Sequence, residues 1–404
     1  MASTRRLRTS EEHLAVLAEE TTRLLEWTRA SAMPDGTFAW LDDDGHPDPR
    51  RPRELWITTR MTHVLGLGAL LGREGDAPLA EAGLAALRGV FADDGFGGWY
   101  GSVRDGVPVD TAKRAYGHAF VLLAASTAHV AGLDADPLLT ESAQGLLRFW
   151  DDGAGALVDV WDRRFTHLEA YRGANANMHG VEAMLAAADA TGDAEWVDRA
   201  ASVADRLVLD EARTHGWRVP EHHDEHWRVV RDYNADRTDD PFRPYGTTPG
   251  HGLEWARLLM HLNTRRPDSR YVDAARHLFA TAVADAWSDE RPGLAYTTDW
   301  DGTPLVRERF HWVLCEAIGA AAVLADVTGE ETYDDWYERF WTLAQQRFVD
   351  HRRGGWVHEL DEDGRVSRRT WSGKPDTYHA VQACLLPRIP LTASVASGVA
   401  ALRR

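Results

Sequence analysis

Two rhythms run along this chain, an apolar one at helical spacing and an aromatic, turn-rich one that interrupts it. Leu14, Leu17, Thr21, Leu24, Leu25 and Thr28 fall on one face at steps of three and four, which predicts an amphipathic first helix. Further helices are predicted near 54–71, 76–92, 111–132, 136–150, 174–191, 193–209, 249–264, 269–287, 307–328, 331–349 and 377–402. Between them lie FAWLDDDG at Trp40, GGWYGSVRDG at Trp99, ALVDVWD at Val158, GWRVPEH at Trp217, LAYTTDWDG at Tyr296 and GGWVHELDEDG at Trp356. Aromatic or β-branched residues running into DDDG, RDG, DWDG or DEDG signal hairpins. The six positions stand 59, 59, 59, 79 and 60 residues apart.

Helices within a pair are joined by short turns (GREGD, AGLDAD, TGD, TGE), and the hairpins follow the odd-numbered helices. Six such pairs predict an all-α fold, an (α/α)6 toroid with short β-hairpins at one mouth. The even-numbered helices, such as ANMHGVEAMLAAADA and CEAIGAAAVLADV, are richer in apolar and small residues and belong in the inner ring. The extra length of the fourth unit (HHDEHWRVVRDYNADRTDDPFRPYGTTPG) predicts a long loop over that mouth. An open α-solenoid is the alternative, but its repeats are usually shorter, at about 20–45 residues, and seldom carry a hairpin each. Each unit needs neighbours to bury its apolar face, so residues 1–404 are expected to form a single domain.

Polar groups open the inner helices in phase with the repeat: Arg60, Tyr116 with His118, His179, His251, His311 and His379. Three of the histidines are followed at i+3 by Glu182, Glu254 or Gln382, and such a pair shares a helix face, so each partner is expected to orient its imidazole. A histidine on an apolar helix is commonly a bonded core residue; three in register at helix starts, beside Gly and Pro, point to chemistry instead. Arg60 sits in an apolar setting (LWITTRMTHVL), where an unpaired guanidinium would be costly, so either a substrate contact or a buried ion pair is expected. Helix N-termini carry unpaired N–H donors and partial positive charge, which suits a reaction developing an oxyanion. His222, His223 and His226 lack an HExxH arrangement and read as solvated or lid-forming. There is no P-loop, no GxGxxG after a strand and no GxSxG elbow.

Charge narrows the partners. Asp and Glu number 63 against 45 Lys and Arg, a formal net charge of −18 that repels nucleic acid and anionic lipid. The short basic arm Arg5 to Arg8 is expected to be disordered, and no apolar run is expected to span a bilayer. Cys315 and Cys384 lie in apolar helical contexts and are expected as reduced core thiols. A cytoplasmic protein is expected, and a homo-oligomer is compatible with the sequence. Trp is unusually frequent at 17, and flat indole faces suit sugar rings.

The segments RGANANMHGVEA, PGHGLEWARL, HWVLCEAIGAA and SGKPDTYHAVQACLLP resemble the N-acylglucosamine 2-epimerase superfamily, in particular its aldose–ketose isomerase branch of D-mannose and sulfoquinovose isomerases. With Arg60 the resemblance spans residues 60 to 387. It implies catalytic roles for Arg60, His179, His251, Glu254 and His379, and substrate contacts from Tyr116, Asn175, His311, Trp312, Glu316 and Trp371, with no metal or other cofactor. Where cellobiose 2-epimerases typically read WxxPYH and WWxxxE, this chain has GKPDTYH and HWVLCE, which favours isomerisation over 2-epimerisation. Mannose–fructose interconversion is expected, with lyxose or a 6-sulfonated hexose presenting the same C1–C2 unit. Glycoside hydrolysis needs two carboxylates flanking the bond, whereas the phased groups are histidines; a non-catalytic carbohydrate-binding ring would not need three of them.

Overall fold

Helices that are apolar on all sides lie inside this structure, and helices with one apolar stripe lie outside it. The computed structural model describes residues 6–402. Its inner helices are α2 (Leu55–Leu70), α4 (Ala115–Val130), α6 (Ala174–Thr191), α8 (Pro249–Arg265), α10 (His311–Thr328) and α12 (Tyr378–Leu385). Each packs on the next, and α12 returns to α2. The outer helices are α1 (Glu11–Ala30), α3 (Asp76–Arg88), α5 (Asp136–Leu147), α7 (Glu195–Ala204), α9 (Ser269–Ala286) and α11 (Glu331–Leu343). Each outer helix packs on the inner helix of its pair, with α1 backing α12. This is the (α/α)6 toroid that the repeat predicts.

Backbone pairing ties each inner helix to its neighbour. The residues before an inner helix pair antiparallel with the hairpin of the following unit: 53–54 with 102–103, 113–114 with 160–161, 172–173 with 222–223, and 309–310 with 359–360. Before α8 the same link is a single bridge, Thr247 to Thr298. The last unit closes on the first: Lys374 N–H donates to Leu41 O at 3.0 Å, and Trp40 Nε1 to Ser372 O at 2.8 Å. Gly373 has φ +75°, and a Cβ there would meet Leu41 O at 2.3 Å, so only glycine permits this seam. These strands are two to four residues long and serve as staples.

Several expectations need correction. The predicted helix 377–402 is broken: α12 ends at Leu385, a 3₁₀ turn spans Leu386–Arg388, and α13 (Val395–Ala401) starts afresh with Ser394 as its cap. Pro387 and Pro390 lack the N–H that a continuous helix needs. The break lets α13 fold back to cover the far end of the ring against α2, α4 and α6. Helices α4 and α10 begin later than predicted because Lys113–Arg114 and Arg309–Phe310 are used as strands. Arg6 and Arg8 are ordered, paired with Asp334 (2.5 and 2.9 Å), with Arg8 also reaching Asp326 at 2.6 Å; Arg5 lies outside the described residues. Helix α10 is long and apolar enough to cross a membrane by length and composition, contrary to expectation, yet 78% of it is buried within the ring. His222 and His223 are buried rather than solvated: His222 lies between Tyr171 Oη and Pro244 O, and His223 bonds Glu211 at 2.7 Å. Only His226 of that trio is exposed. Cys315 and Cys384 are buried, free thiols, as expected.

Candidate active site

The starts of the inner helices converge on a cleft of about 670 Å³ including its open mouth. Arg60, Tyr116, Asn175, His179, His251, Glu254, His311, Trp312, Trp371 and His379 all line it, so the chain brings together ten of the eleven expected residues. The long fourth-unit loop delivers Pro241 and Phe242 to the same cleft. Phe242 sits edge-on between Tyr116 and Trp371, and its loop is anchored by Arg243 on Glu169 at 2.9 and 3.0 Å.

Two imidazoles have fixed tautomers. His379 Nδ1 donates to Glu316 Oε1 at 2.7 Å, and His251 Nδ1 donates to Glu221 Oε1 at 2.9 Å. A carboxylate partner holds the proton on Nδ1 and leaves Nε2 as a lone-pair base. Trp312 packs against both rings, with centroids 5.3 Å from His251 and 5.8 Å from His379. The indole fits because residue 250 is glycine: a Cβ there would lie 2.6 Å from the Trp312 ring.

The expected i+3 pairings do not form for these two histidines. Helical side chains lean toward the N-terminus, so a first-turn histidine points up into the cleft while the i+3 group lies a turn below. Glu254 therefore does not orient His251; it sits nearer His179, whose Nδ1 is 3.5 Å from Glu254 and 3.8 Å from Glu182. Gln382 does not orient His379 but donates to Glu182 at 3.1 Å. Glu316, expected to contact substrate, does not line the cleft; it is buried beneath His379.

Burial lowers the basicity of the site histidines. It pushes His179 down to about 4 and His379 and His311 well below the usual imidazole value, so all three are neutral at pH 7. Burial, followed by the Glu316 charge, lifts Glu254 well above the carboxylate range. Neither Glu254 oxygen hydrogen-bonds to a described residue, although Oε1 lies 3.5 Å from both His179 Nδ1 and Arg257 Nη2. Burial opposes the charge on Arg60, but Tyr116 and Asp376 outweigh it and hold the guanidinium protonated. Its nitrogens reach Tyr116 Oη at 2.8 Å and Asp376 at 3.2 Å, so the buried ion pair and the cleft position coexist. At that distance the attraction is on the order of 5 kcal/mol at an effective dielectric near 20. Desolvating each ion costs several kcal/mol, so the pair places Arg60 more than it stabilises the fold.

Trp56, Glu221, His358 and Asp376 were not singled out from sequence. Glu221 and His358 occupy matching places: Ala174 N–H donates to Glu221 O and His311 N–H to His358 O, both at 3.0 Å. Leu55 and Ala115 likewise donate to Gly101 and Asp159. These four leading N–H groups are thus satisfied by hairpin carbonyls instead of being offered to an oxyanion. His358 stacks on His311 at 3.8 Å. For Glu221 and His358 the available signal was phase, since they follow the hairpin marks Trp217 and Trp356 by four and two positions. His118, one of the phased groups, bonds the Arg114 carbonyl away from the cleft, and His63, one turn beyond Arg60, bonds Thr127 away from it as well.

Two sets, His179–Glu182–Glu254 and Glu254–Glu316–His379, have donor atoms close enough to hold a metal ion. The Arg257 guanidinium lies against all three of their carboxylates, at 3.7, 3.5 and 2.8 Å, so a cation already compensates them.

A closed six-pair toroid with carboxylate-oriented histidines at its mouth has the makings of a sugar-processing barrel. The chain belongs to the N-acylglucosamine 2-epimerase family, whose profile matches residues 36–383. Within that family it is similar to the D-mannose isomerase of Thermobifida fusca, 47% identical over 395 residues (96% of this chain, 97% of the relative). The D-mannose isomerase of Pseudomonas cannabina pv. alisalensis is 44% identical, covering 97% of each chain. A crystal structure of a D-mannose isomerase superposes with a TM-score of 0.88 at 30% identity, over 92% of this chain and 97% of that one.

Proposed function

We propose that this chain is an aldose–ketose isomerase interconverting D-mannose and D-fructose, acting as one catalytic domain without a metal. The observation that carries the reading is a pair of histidines, His251 and His379, each with Nδ1 held by a buried carboxylate and Nε2 left as a base, flanking Trp312 in one cleft. The identity to two D-mannose isomerases over nearly the whole chain supports it.

Isomerisation requires ring opening, removal of the C2 proton α to the C1 aldehyde, and return of a proton to C1 from a cis-enediolate. In this reading the His379 Nε2 lone pair takes the C2 proton and returns it to C1. His251 handles the O1 and O2 protons, and the Glu254 carboxyl, kept protonated by burial, donates during ring opening. Arg60 and His179 stabilise the enediolate oxygens, with Arg60 supplying a permanent charge and His179 a neutral donor. Asn175, Tyr116, Trp312, Trp371 and His311 hold the hexose.

A 6-sulfonated hexose is less well served. Arg60 is the one Arg or Lys lining the cleft among the described residues, and Asp376 already engages it. The test is incubation with mannose, lyxose and sulfoquinovose, following products by NMR. Fructose from mannose is expected; glucose would show 2-epimerisation, and turnover of sulfoquinovose alone would replace the proposed substrate.

A further inference from the structure

Arg257 lies outside the cleft and is almost fully buried, at 1% exposure. It belongs to α8, one turn below Glu254. Its Nε donates to Glu316 Oε2 at 2.8 Å, and the other oxygen of that carboxylate accepts the His379 Nδ1 proton at 2.7 Å. Its terminal nitrogens approach Glu182 on the neighbouring α6, Nη1 at 3.7 Å, and Glu254 on its own helix, Nη2 at 3.5 Å. Those are the two carboxylates beside His179. Room for the guanidinium stem comes from Gly319 on α10, where a Cβ would lie 3.2 Å from Arg257 Cδ.

We propose that Arg257 is the positioning residue of this site, fixing through one guanidinium the carboxylates that orient His379 and flank His179. Without Arg257 the three carboxyl groups, packed in a dry layer, would be free to rotate and to exchange protons among themselves. The guanidinium donates to Glu316 and spreads its charge over a planar fork that also lies against Glu182 and Glu254, which a point charge would not reach together. His251 is independent of this device, because its carboxylate, Glu221, comes from the hairpin at the mouth and does not touch Arg257. Two of the three phased histidines are therefore governed from beneath and one from above.

The effect on turnover rests on the isomerase reading; the effect on the imidazoles does not. The test uses the full chain with ¹⁵N-labelled histidine, comparing wild type, Arg257→Met, Arg257→Lys and Glu316→Gln. Histidine ¹⁵N shifts report which ring nitrogen carries the proton, with signals assigned by single histidine substitutions. In Arg257→Met the His379 and His179 signals change while His251 keeps its Nδ1–H form. The same variant loses at least tenfold in kcat, with KM within threefold of wild type, and Arg257→Lys recovers part of the loss. Glu316→Gln changes His379 and leaves His251 unaltered. A folded Arg257→Met with wild-type His379 signals and kcat overturns the proposal, as does a change in all three histidines together. Should Arg257→Met not fold, Arg257→Lys and Glu316→Gln decide: wild-type His379 signals and kcat in both overturn it, and a His379 change with His251 untouched supports it. Absence of mannose turnover in the wild type would overturn the isomerase reading and leave the NMR comparison valid.

Discussion

Glu221 accepts the Nδ1 proton of His251 at 2.9 Å from a hairpin 30 residues earlier in the chain. The carboxylate is buried, so nothing else competes for that proton. In Glu221→Gln the side-chain amide can present an N–H to Nδ1, favouring the tautomer with hydrogen on Nε2 and removing the base from the cleft. General acid–base steps contribute about 10²–10⁴ in rate, so kcat is expected to fall about a hundredfold with KM little changed. Steady-state kinetics on mannose measure this; an unchanged kcat would remove His251 from the proton-transfer chemistry.

The two histidines can be told apart isotopically. With mannose deuterated at C2, the residual fructose made by His251→Ala is expected to carry deuterium at C1. His379→Ala should lose that transfer along with most of its activity. The opposite pattern exchanges the two roles.

Gly250→Ala tests the packing of Trp312. The added methyl would meet the indole at 2.6 Å and Val313 at 2.9 Å, and a ring wedged between two histidines cannot move aside freely. Overpacking of this kind costs about 1–3 kcal/mol. Both a lower Tm and a KM raised severalfold are expected, read by calorimetry and by kinetics.

Mild acid should destabilise the protein through its buried histidines. Burial holds His63, His179 and His261 near 4 and His118 and His358 near 3, whereas in the unfolded chain they titrate near 6.5. Between pH 6.5 and about 4 the unfolded state binds more protons, so stability is full above 6.5 and falls as pH drops through this window. Each fully buried imidazole contributes on the order of 1–2 kcal/mol by pH 5. Urea midpoints at pH 7.5 and 5 should differ clearly; equal midpoints would contradict neutral burial of these rings.

Chelation offers a simpler check. Arg257 already balances Glu182, Glu254 and Glu316, so dialysis against EDTA is expected to leave kcat unchanged. Loss of activity that a divalent ion restores would count against metal-free chemistry.

The repeat was readable because a ring imposes one geometry on every unit. Spacing alone therefore marks His179, His251 and His379, and one mouth gathers them. What orients them was not readable. Glu221 reaches His251 from the hairpin of its own unit and Glu316 reaches His379 from the neighbouring one, and helical periodicity describes only contacts within a helix. The i+3 rule placed Glu254 correctly on the face of α8 but one turn too deep to serve its own histidine. The break at Pro387 and Pro390 was visible as residues, yet its purpose, turning α13 under the ring, depends on what lies there.

The seam between Trp40 and Ser372 joins residues 332 positions apart. Asp376 and His379 follow directly, and Asp376 completes its pair with Arg60 only when the two ends of the chain have met. During synthesis, a ribosome would release nearly the whole polypeptide before this pocket gains its last wall. Activity should thus arrive in a single step at the end of folding, and a chain shortened at either extremity would keep most of its helices while losing the chemistry.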